Sequence, residues 1–113
     1  ITLFDLKCVE AGYKKKGNKY EVTLDVETGK VYADSMGNGT GVKPNDWIDI
    51  GIMKYDGNGK HSYQYLQKQL FTGGRKTIVV TVDEKPSKAG IDPLHKLIDR
   101  NSEDNIKEVK SLQ

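Results

Sequence analysis

Cysteine and long apolar runs are both scarce in this chain of 113 residues, and each scarcity excludes a class of protein. A single cysteine forms no internal disulfide and builds no zinc site that depends on several thiolates. The longest apolar run, at residues 78–80, falls far short of the roughly 20 residues that span a bilayer. No cationic start precedes an apolar stretch and a cleavage site, so no signal peptide is predicted within this piece.

The chain also has no large excess of positive or negative charge. Lys and Arg number 18 against 16 Asp and Glu, so the net charge is only +2. Such a balance does not favour binding to nucleic acid or to a membrane surface. The basic run at residues 14–16 adjoins Gly17 and Asn18, which predicts a solvated hairpin tip, and no aromatic stacking platform accompanies it. We therefore predict no nucleic-acid partner and no direct membrane insertion.

The length suits one domain and excludes a complete (β/α)₈ barrel of roughly 250 residues. The chain begins at Ile1 rather than at Met, inside an apolar alternation. From this start we expect an excised piece of a longer protein.

Alternation of apolar and polar residues is the dominant pattern that is present. It runs through residues 4–8, 20–26, 46–55, 62–71 and 76–83. A period of two with one polar face is typical of half-buried antiparallel strands. Turn signals at residues 17–18, 56–59 and 72–74 separate these segments. The sequence therefore predicts an all-β fold, an immunoglobulin-like antiparallel β-sandwich of about seven strands, with Cys8 on an inward face as a small hydrophobe.

Further predictions concern single segments within, between and after these strands. Residues 30–34 predict a separate short strand, residues 35–45 a long loop, and residues 62–71 a register shift by a bulge. Pro86 and Pro93 argue against a regular central strand between them. We expect Leu94, Leu97 and Ile98 to close the core, as a short strand in preference to one helical turn. The predicted sandwich covers residues 1–101, and residues 102–113 are a short tail, weakly helical or frayed.

Candidate catalytic and metal-binding groups are sparse. His61 and His95 lie far apart in the sequence, and neither has a histidine four positions away. Asp56 opens a segment like the start of a calcium loop, but Lys60 stands at the third ligand position, so a hairpin turn is the better interpretation. The glycines of residues 37–41 precede no helix and no Gly-Lys-Ser/Thr ending, and no G-x-S-x-G elbow occurs. We predict no catalytic, cofactor-binding or metal-binding residue here.

Aromatic residues on a sandwich face can stack against sugars. Trp47, Tyr63 and Tyr65 are the candidates for such a ligand-binding surface, with core or edge packing as the competing interpretation. The sequence alone leaves both open.

Two segments carry a resemblance to a known family. Residues 46–52 read DWIDIGI, and residues 80–93 read VTVDEKPSKAGIDP and continue through 96–100 and 104–105. Together they resemble the extreme C-terminus of bacterial proteins related to the membrane alanyl aminopeptidases, which are zinc peptidases with an HExxH active site. The resemblance is closest to a branch, typical of Bacteroidetes-type bacteria, in which the peptidase-like region is fused behind a multi-span ABC-transporter permease.

The resemblance implies a β-sandwich appended after the catalytic and helical regions, and it implies no catalytic residue here, since no HExxH occurs in this sequence. It also implies a parent protein in the bacterial inner membrane, with this soluble domain outside the cytoplasm. Zinc, if the family chemistry is intact, belongs to the parent and not to this piece. The implied partner is the peptidase-like region of the same chain.

Two hypotheses on function follow. The first is a noncatalytic structural or interaction domain at the C-terminus of an aminopeptidase-like, permease-fused protein. The second is a ligand- or carbohydrate-binding sandwich that uses Trp47, Tyr63, Tyr65 and the loop at residues 35–45. A self-standing enzyme ranks behind both.

Overall fold

A long β-hairpin forms the base of the fold. The structure, a computed structural model, describes residues 1–34, 36, 38–99 and 102–113. The strands are β1 (Thr2–Lys16), β2 (Lys19–Ala33), β3 (Gly39–Val42), β4 (Asp46–Tyr55), β5 (His61–Phe71), β6 (Gly74–Val82), β7 (Lys88–Ile91), β8 (Ile106–Glu108) and β9 (Lys110–Ser111), with a 3₁₀ turn at Ser102–Asp104. At the tip of the hairpin, Gly17 takes a φ of 62°, a conformation that glycine adopts without a steric penalty.

The strands form two sheets. In sheet A, β1 and β9 lie on one side of β2, and both β3 and β6 pair with the opposite edge of β2. Sheet B has the order β5-β4-β7-β8. All pairings between named strands are antiparallel except that of β1 with β9. The predicted all-β sandwich is confirmed.

The core lies between the two sheets and consists of the apolar half of each alternation. Fully buried side chains on its two sides are those of Leu6, Cys8, Val22, Leu24, Val26, Ile48, Ile50, Ile52 and Ile91. Burial of the branched side chains is the main favourable term, at about 1.5–3 kcal/mol for each of them. The inward prediction for Cys8 is confirmed.

Three expectations between β2 and β5 have clear outcomes. Residues 30–33 are not a separate strand, because Gly29 pairs with Asp5 and β2 runs on without a break. The predicted loop at residues 35–45 contains β3, which pairs with Lys30 through Ala33, while Ser35 and Gly37 lie outside the described residues. The predicted register shift is confirmed, because Ile52 faces Tyr65 whereas Met53 faces Tyr63.

The prediction that two prolines exclude a central strand was wrong. Strand β7 lies between Pro86 and Pro93 and pairs with β4 on one side and β8 on the other. Both prolines lie just outside its four residues, so neither interrupts its ladder of hydrogen bonds. The two prolines flank this strand and do not forbid it.

The predicted closing strand after Pro93 was also wrong. Asp92 accepts hydrogen bonds from the backbone N–H groups of Lys96 (3.0 Å) and Leu97 (3.0 Å), which holds this segment in a turn. Only Leu97 packs against the core, while Leu94 and Ile98 are exposed. One isolated parallel bridge, from Phe4 to Asp99, is the remaining strand-like contact in the described part of this segment.

Residues 102–113 are neither helical nor frayed. After the 3₁₀ turn, β8 joins sheet B through β7, and β9 joins sheet A through β1. Asn105, at the start of this segment, is fully buried. The segment is therefore part of the sandwich, and the predicted boundary at residue 101 does not separate a tail from a domain.

Candidate functional site

Five exposed apolar side chains share the outer face of sheet B. Because Ile48, Ile50 and Ile52 point inward, the alternating residues of β4 lie on the outer face of sheet B, where Trp47 and Tyr55 are exposed. The exposed fractions are 63% for Trp47, 55% for Tyr55, and 37% for each of Tyr63, Leu66 and Leu70. We call these five residues the apolar face.

The register of β4 and β5 places the apolar face along the length of β4, from Trp47 near one end to Tyr55 at the other. Trp47 lies opposite Leu70, and Gly51 lies opposite Leu66. A Cβ atom on Gly51 would lie 2.8 Å from the Tyr63 ring and 2.9 Å from Pro93. The glycine therefore lets the Tyr63 ring lie directly on the backbone of β4. Partial burial, and then the charge of Asp49, raise the pKa of Tyr63, which keeps its hydroxyl neutral.

One buried carboxylate lies within this face. Asp49 contacts the ammonium of Lys96 at 3.0 Å and that of Lys68 at 3.8 Å, and its side chain is only 7% exposed. A buried carboxylate requires such partners, because its desolvation is otherwise costly. The two ammonium groups exceed the single negative charge, so the centre of the apolar face carries a slight positive charge.

The three aromatic residues predicted as a ligand surface do not form one platform. Trp47 and Tyr63 lie on the apolar face, whereas Tyr65 lies opposite Ile52, is half-buried and packs against the core. Its hydroxyl accepts a hydrogen bond from Gln69 Nε2 at 3.2 Å. For Tyr65 the competing interpretation of packing describes the structure. The loop at residues 35–45 is also separate, since β3 lies on the edge of sheet A.

Tyr55, Leu66 and Leu70 were missed as site residues. The bulge leaves Gln64 without a partner on β4, so the residues of β5 after it switch faces relative to those before it. The signal was in the sequence, since the apolar spacing from Tyr63 to Leu66 to Leu70 breaks the period of two. An intact alternation from Tyr63 would have placed Tyr65 outside and Leu66 inside.

The other candidate sites form ordinary turns and side-chain contacts in the structure. Asp56 Oδ1 accepts hydrogen bonds from the N–H groups of Asn58 (2.9 Å) and Lys60 (3.3 Å), which closes the hairpin turn predicted there. His61 Nδ1 lies 2.8 Å from Ser87 Oγ, and its ring packs near Tyr55. Among the residues with described positions, no group of three or more His, Cys, Asp or Glu side chains is arranged to hold a metal ion.

In the described part of the chain, no helix is both long and apolar enough to cross a bilayer. Comparison with family models, curated proteins and solved structures finds no match to this chain. Its class therefore follows from the fold and the site: an all-β sandwich domain with an exposed apolar face on one sheet.

Proposed function

We propose that this chain is a noncatalytic interaction domain that packs its apolar face against a protein partner. The observation that supports the proposal is the exposure of five apolar side chains on one sheet face, those of Trp47, Tyr55, Tyr63, Leu66 and Leu70. Exposed apolar patches of this kind mark interaction sites, and aromatic residues are enriched where proteins meet.

The outer face of sheet A differs sharply from the apolar face. Charged and hydroxyl side chains dominate it, among them Asp5, Lys7, Thr23, Asp25, Glu27, Arg75 and Thr77. Arg75 there donates to Asp25 at 2.7 Å, so much of this charge is paired within the chain. A face of this composition is well solvated without a partner, which supports sheet B as the contact side.

The sequence resemblance supplies the identity of the proposed partner. Under it, the apolar face packs against the peptidase-like region of the same parent protein, outside the cytoplasm, and any zinc belongs to that region. Catalysis is then a property of the parent, and this domain has a structural role.

A second candidate function is binding of a carbohydrate. The exposure of Trp47, at 63%, favours it, since a flat indole on a sheet face can stack against a sugar ring. Lys68 beside it offers a hydrogen-bond donor. Against this candidate, Tyr65 does not share the platform.

Trp47 provides the test, because it is the only tryptophan in the chain and lies within the apolar face. The peptidase-like region of the proposed parent protein is titrated into the 113-residue chain while Trp47 emission is recorded. We expect a saturable blue shift, because the indole leaves water. A Leu70→Lys variant, which places a charge opposite Trp47, should bind at least about tenfold more weakly, equivalent to roughly 1.4 kcal/mol.

The matched control is Thr23→Lys, which adds the same charge to the outer face of sheet A and should leave the titration unchanged. An unchanged emission on addition of the peptidase-like region would refute the proposed interface. Peptidase turnover by the 113-residue chain with stoichiometric zinc would refute the noncatalytic role. Saturable binding of oligosaccharides, measured by calorimetry and lost in Trp47→Ala, would favour the second candidate.

A further inference from the structure

Strand β6 has a long edge that no strand covers within the described residues. Its nine residues pair with β2 along one side only. Residues 77–82 on this strand are all β-branched and carry no charge. Such an edge presents a row of backbone N–H and C=O groups that can pair with another chain.

Apart from β6, the edge strands in the described part of the sandwich are short, bulged or charged. The far edge of β1, which β9 covers at Gly12 and Tyr13, has a bulge between Cys8 and Glu10 and carries the charges of Asp5 and Lys7. Strand β5 carries a bulge at Gln64, whose side chain exchanges hydrogen bonds with the backbone of Glu84, and it carries the charge of Lys68. Strand β3 has four residues, two of them glycine, while β8 and β9 have three and two residues. Short strands, bulges and charges are the usual means by which proteins blunt an edge. Strand β6 has none of them over residues 77–82.

The sequence of β6 is self-complementary about Val79. In an antiparallel pair of two β6 strands centred there, Val79 faces Val79 of the partner subunit and Thr77 faces the partner's Thr81. Ile78 faces the partner's Val80 on the core side. At each end, Arg75 faces the partner's Asp83, so opposite charges meet twice. Pairs of β-branched residues, threonine pairs and opposite charges all stabilise neighbouring antiparallel strands.

We propose that a second copy of this chain binds along the free edge of β6, so that sheet A continues through a two-fold axis at Val79 into sheet A of the partner subunit. The contact is isologous, because every pair away from the axis occurs twice with the copies exchanged. The exposed side chain of Val79, 58% accessible in the single chain, becomes buried at the axis. This inference is independent of the proposed function, since β6 and the apolar face lie on different sheets.

Arg75 and Asp83, at the two ends of the proposed strand pair, already make ionic contacts within the chain and can still pair with the partner subunit. Arg75 already contacts Asp25 at 2.7 Å and Glu27 at 3.8 Å, and Asp83 contacts Lys19 at 3.0 Å. The Asp83 and Arg75 side chains nevertheless stay largely exposed, at 81% and 55%. Both can therefore accept an additional partner of opposite charge without being desolvated first.

The first experiment measures mass in solution by sedimentation across a series of concentrations. We expect the mass to rise from 12.6 kDa for one chain to twice that value. A Val79→Lys variant brings two like charges together at the axis, so dimerisation should weaken at least about tenfold. The matched control, Leu66→Lys, adds the same charge to an edge strand of sheet B and should leave dimerisation unchanged. Circular dichroism establishes that both variants are folded.

The second experiment tests the register by disulfide trapping, with oxidised glutathione as the oxidant. Paired Cα atoms of antiparallel strands lie about 4.5–5.5 Å apart, within the range that a disulfide bridges. A Val79→Cys variant should therefore cross-link to itself. A Thr77→Cys variant should not, because its two copies are offset by roughly 13 Å along the strand, but it should cross-link when mixed with a Thr81→Cys variant. Cys8 is fully buried in the single chain and stays out of the reaction.

A single-chain mass at every concentration would overturn the proposal, as would an undiminished dimer in Val79→Lys. Loss of the dimer in Leu66→Lys would assign the contact to sheet B instead. Cross-linking of Thr77→Cys alone as fast as Val79→Cys would overturn the register. Leu70 lies on sheet B, so the Leu70→Lys variant should weaken binding of the proposed protein partner and leave the dimer intact. The failure of one proposal can therefore be distinguished from the failure of the other.

Discussion

At the scale of single residues, Cys8 shows how burial alone determines chemistry. Its side chain is fully buried between the sheets, and its Sγ atom lies 3.7 Å from the carbonyl oxygen of Glu10. Burial raises the pKa of this thiol from 9.0 to about 11, and the positive charge of Lys107 offsets only part of that rise. Since the thiolate is the reactive form of cysteine, the folded chain holds Cys8 as an inert hydrophobic side chain.

The raised pKa of Cys8 predicts a loss of stability in alkaline solution. Below a pH of about 9 the thiol is protonated in both folded and unfolded chains, so its full contribution is present; the contribution is lost as the pH rises through about 11. The total loss corresponds to about 3 kcal/mol. Urea unfolding of the natural chain and of Cys8→Ala, near neutral pH and at alkaline pH, measures it. The variant should lose less on alkalinisation, and an equal loss in both chains would contradict the argument.

At the scale of secondary-structure elements, the ladder between β7 and β8 depends on one glycine. A Cβ atom on Gly90 would overlap the carbonyl oxygen of Asn105 and lie 2.8 Å from the Cα atom of Ile106. Both are backbone atoms of the neighbouring strand segment, which cannot rotate away as a side chain does. Gly90 therefore permits the close approach that holds β8 in sheet B.

We predict that Gly90→Ala destabilises the chain by at least about 2–3 kcal/mol, the upper range for overpacking, because β8 must shift. The matched control is Gly41→Ala, where the added Cβ meets no atom within 4 Å and the change should stay within about 0.5 kcal/mol. Chemical denaturation measures both variants. Equal stabilities of Gly90→Ala and the natural chain would show that β8 is not held by this contact.

At the same scale, the length of each strand decides whether its sequence pattern predicts it. Strands β4, β5 and β6 follow from alternation, because each is long enough to show a period of two over several residues. Strands β8 and β9, with three and two residues, are too short to carry any period. Strand β7 was not predicted, because the prolines on both sides of it argued against a strand between them.

For the candidate site, alternation placed Trp47 on the face opposite the three isoleucines of β4, and the structure shows that the isoleucines point inward and Trp47 is exposed. It could not place Tyr65 and Leu66, because a bulge reverses the two faces of a strand and the sequence does not fix its position. Only the register of β5 against β4 shows that Gln64 is the extra residue. Of the five residues of the apolar face, the sequence therefore predicted two, Trp47 and Tyr63, as site residues.

At the scale of the whole molecule, residues 106–111 join the two sheets. Strand β8 belongs to sheet B and β9 to sheet A, and only Val109 lies between them. Val109 packs against the core, and its N–H donates to the carbonyl of Ser87 at 2.9 Å. Beyond β9, the side chain of Leu112 lies over Gly12 on sheet A. A segment with partners in both sheets resists their separation, although each of its strands is short.

This arrangement predicts that a chain ending before Ser102 is strongly destabilised, by about 3 kcal/mol or more, since β7 loses a ladder partner and the core loses the packing of Val109. A chain ending after Ser111 is the matched control. It keeps both strands but loses the cover over Gly12 and the exposed hydrogen bonds of residues 112–113 to Tyr13 and Lys15, and it should lose about 1 kcal/mol. Urea denaturation followed by Trp47 emission measures both truncations against the natural chain. If the shorter chain were as stable as the natural one, residues 1–101 would form an independent domain, as the sequence predicted. The pairings of β8 with sheet B and of β9 with sheet A would then contribute nothing to holding the sheets together.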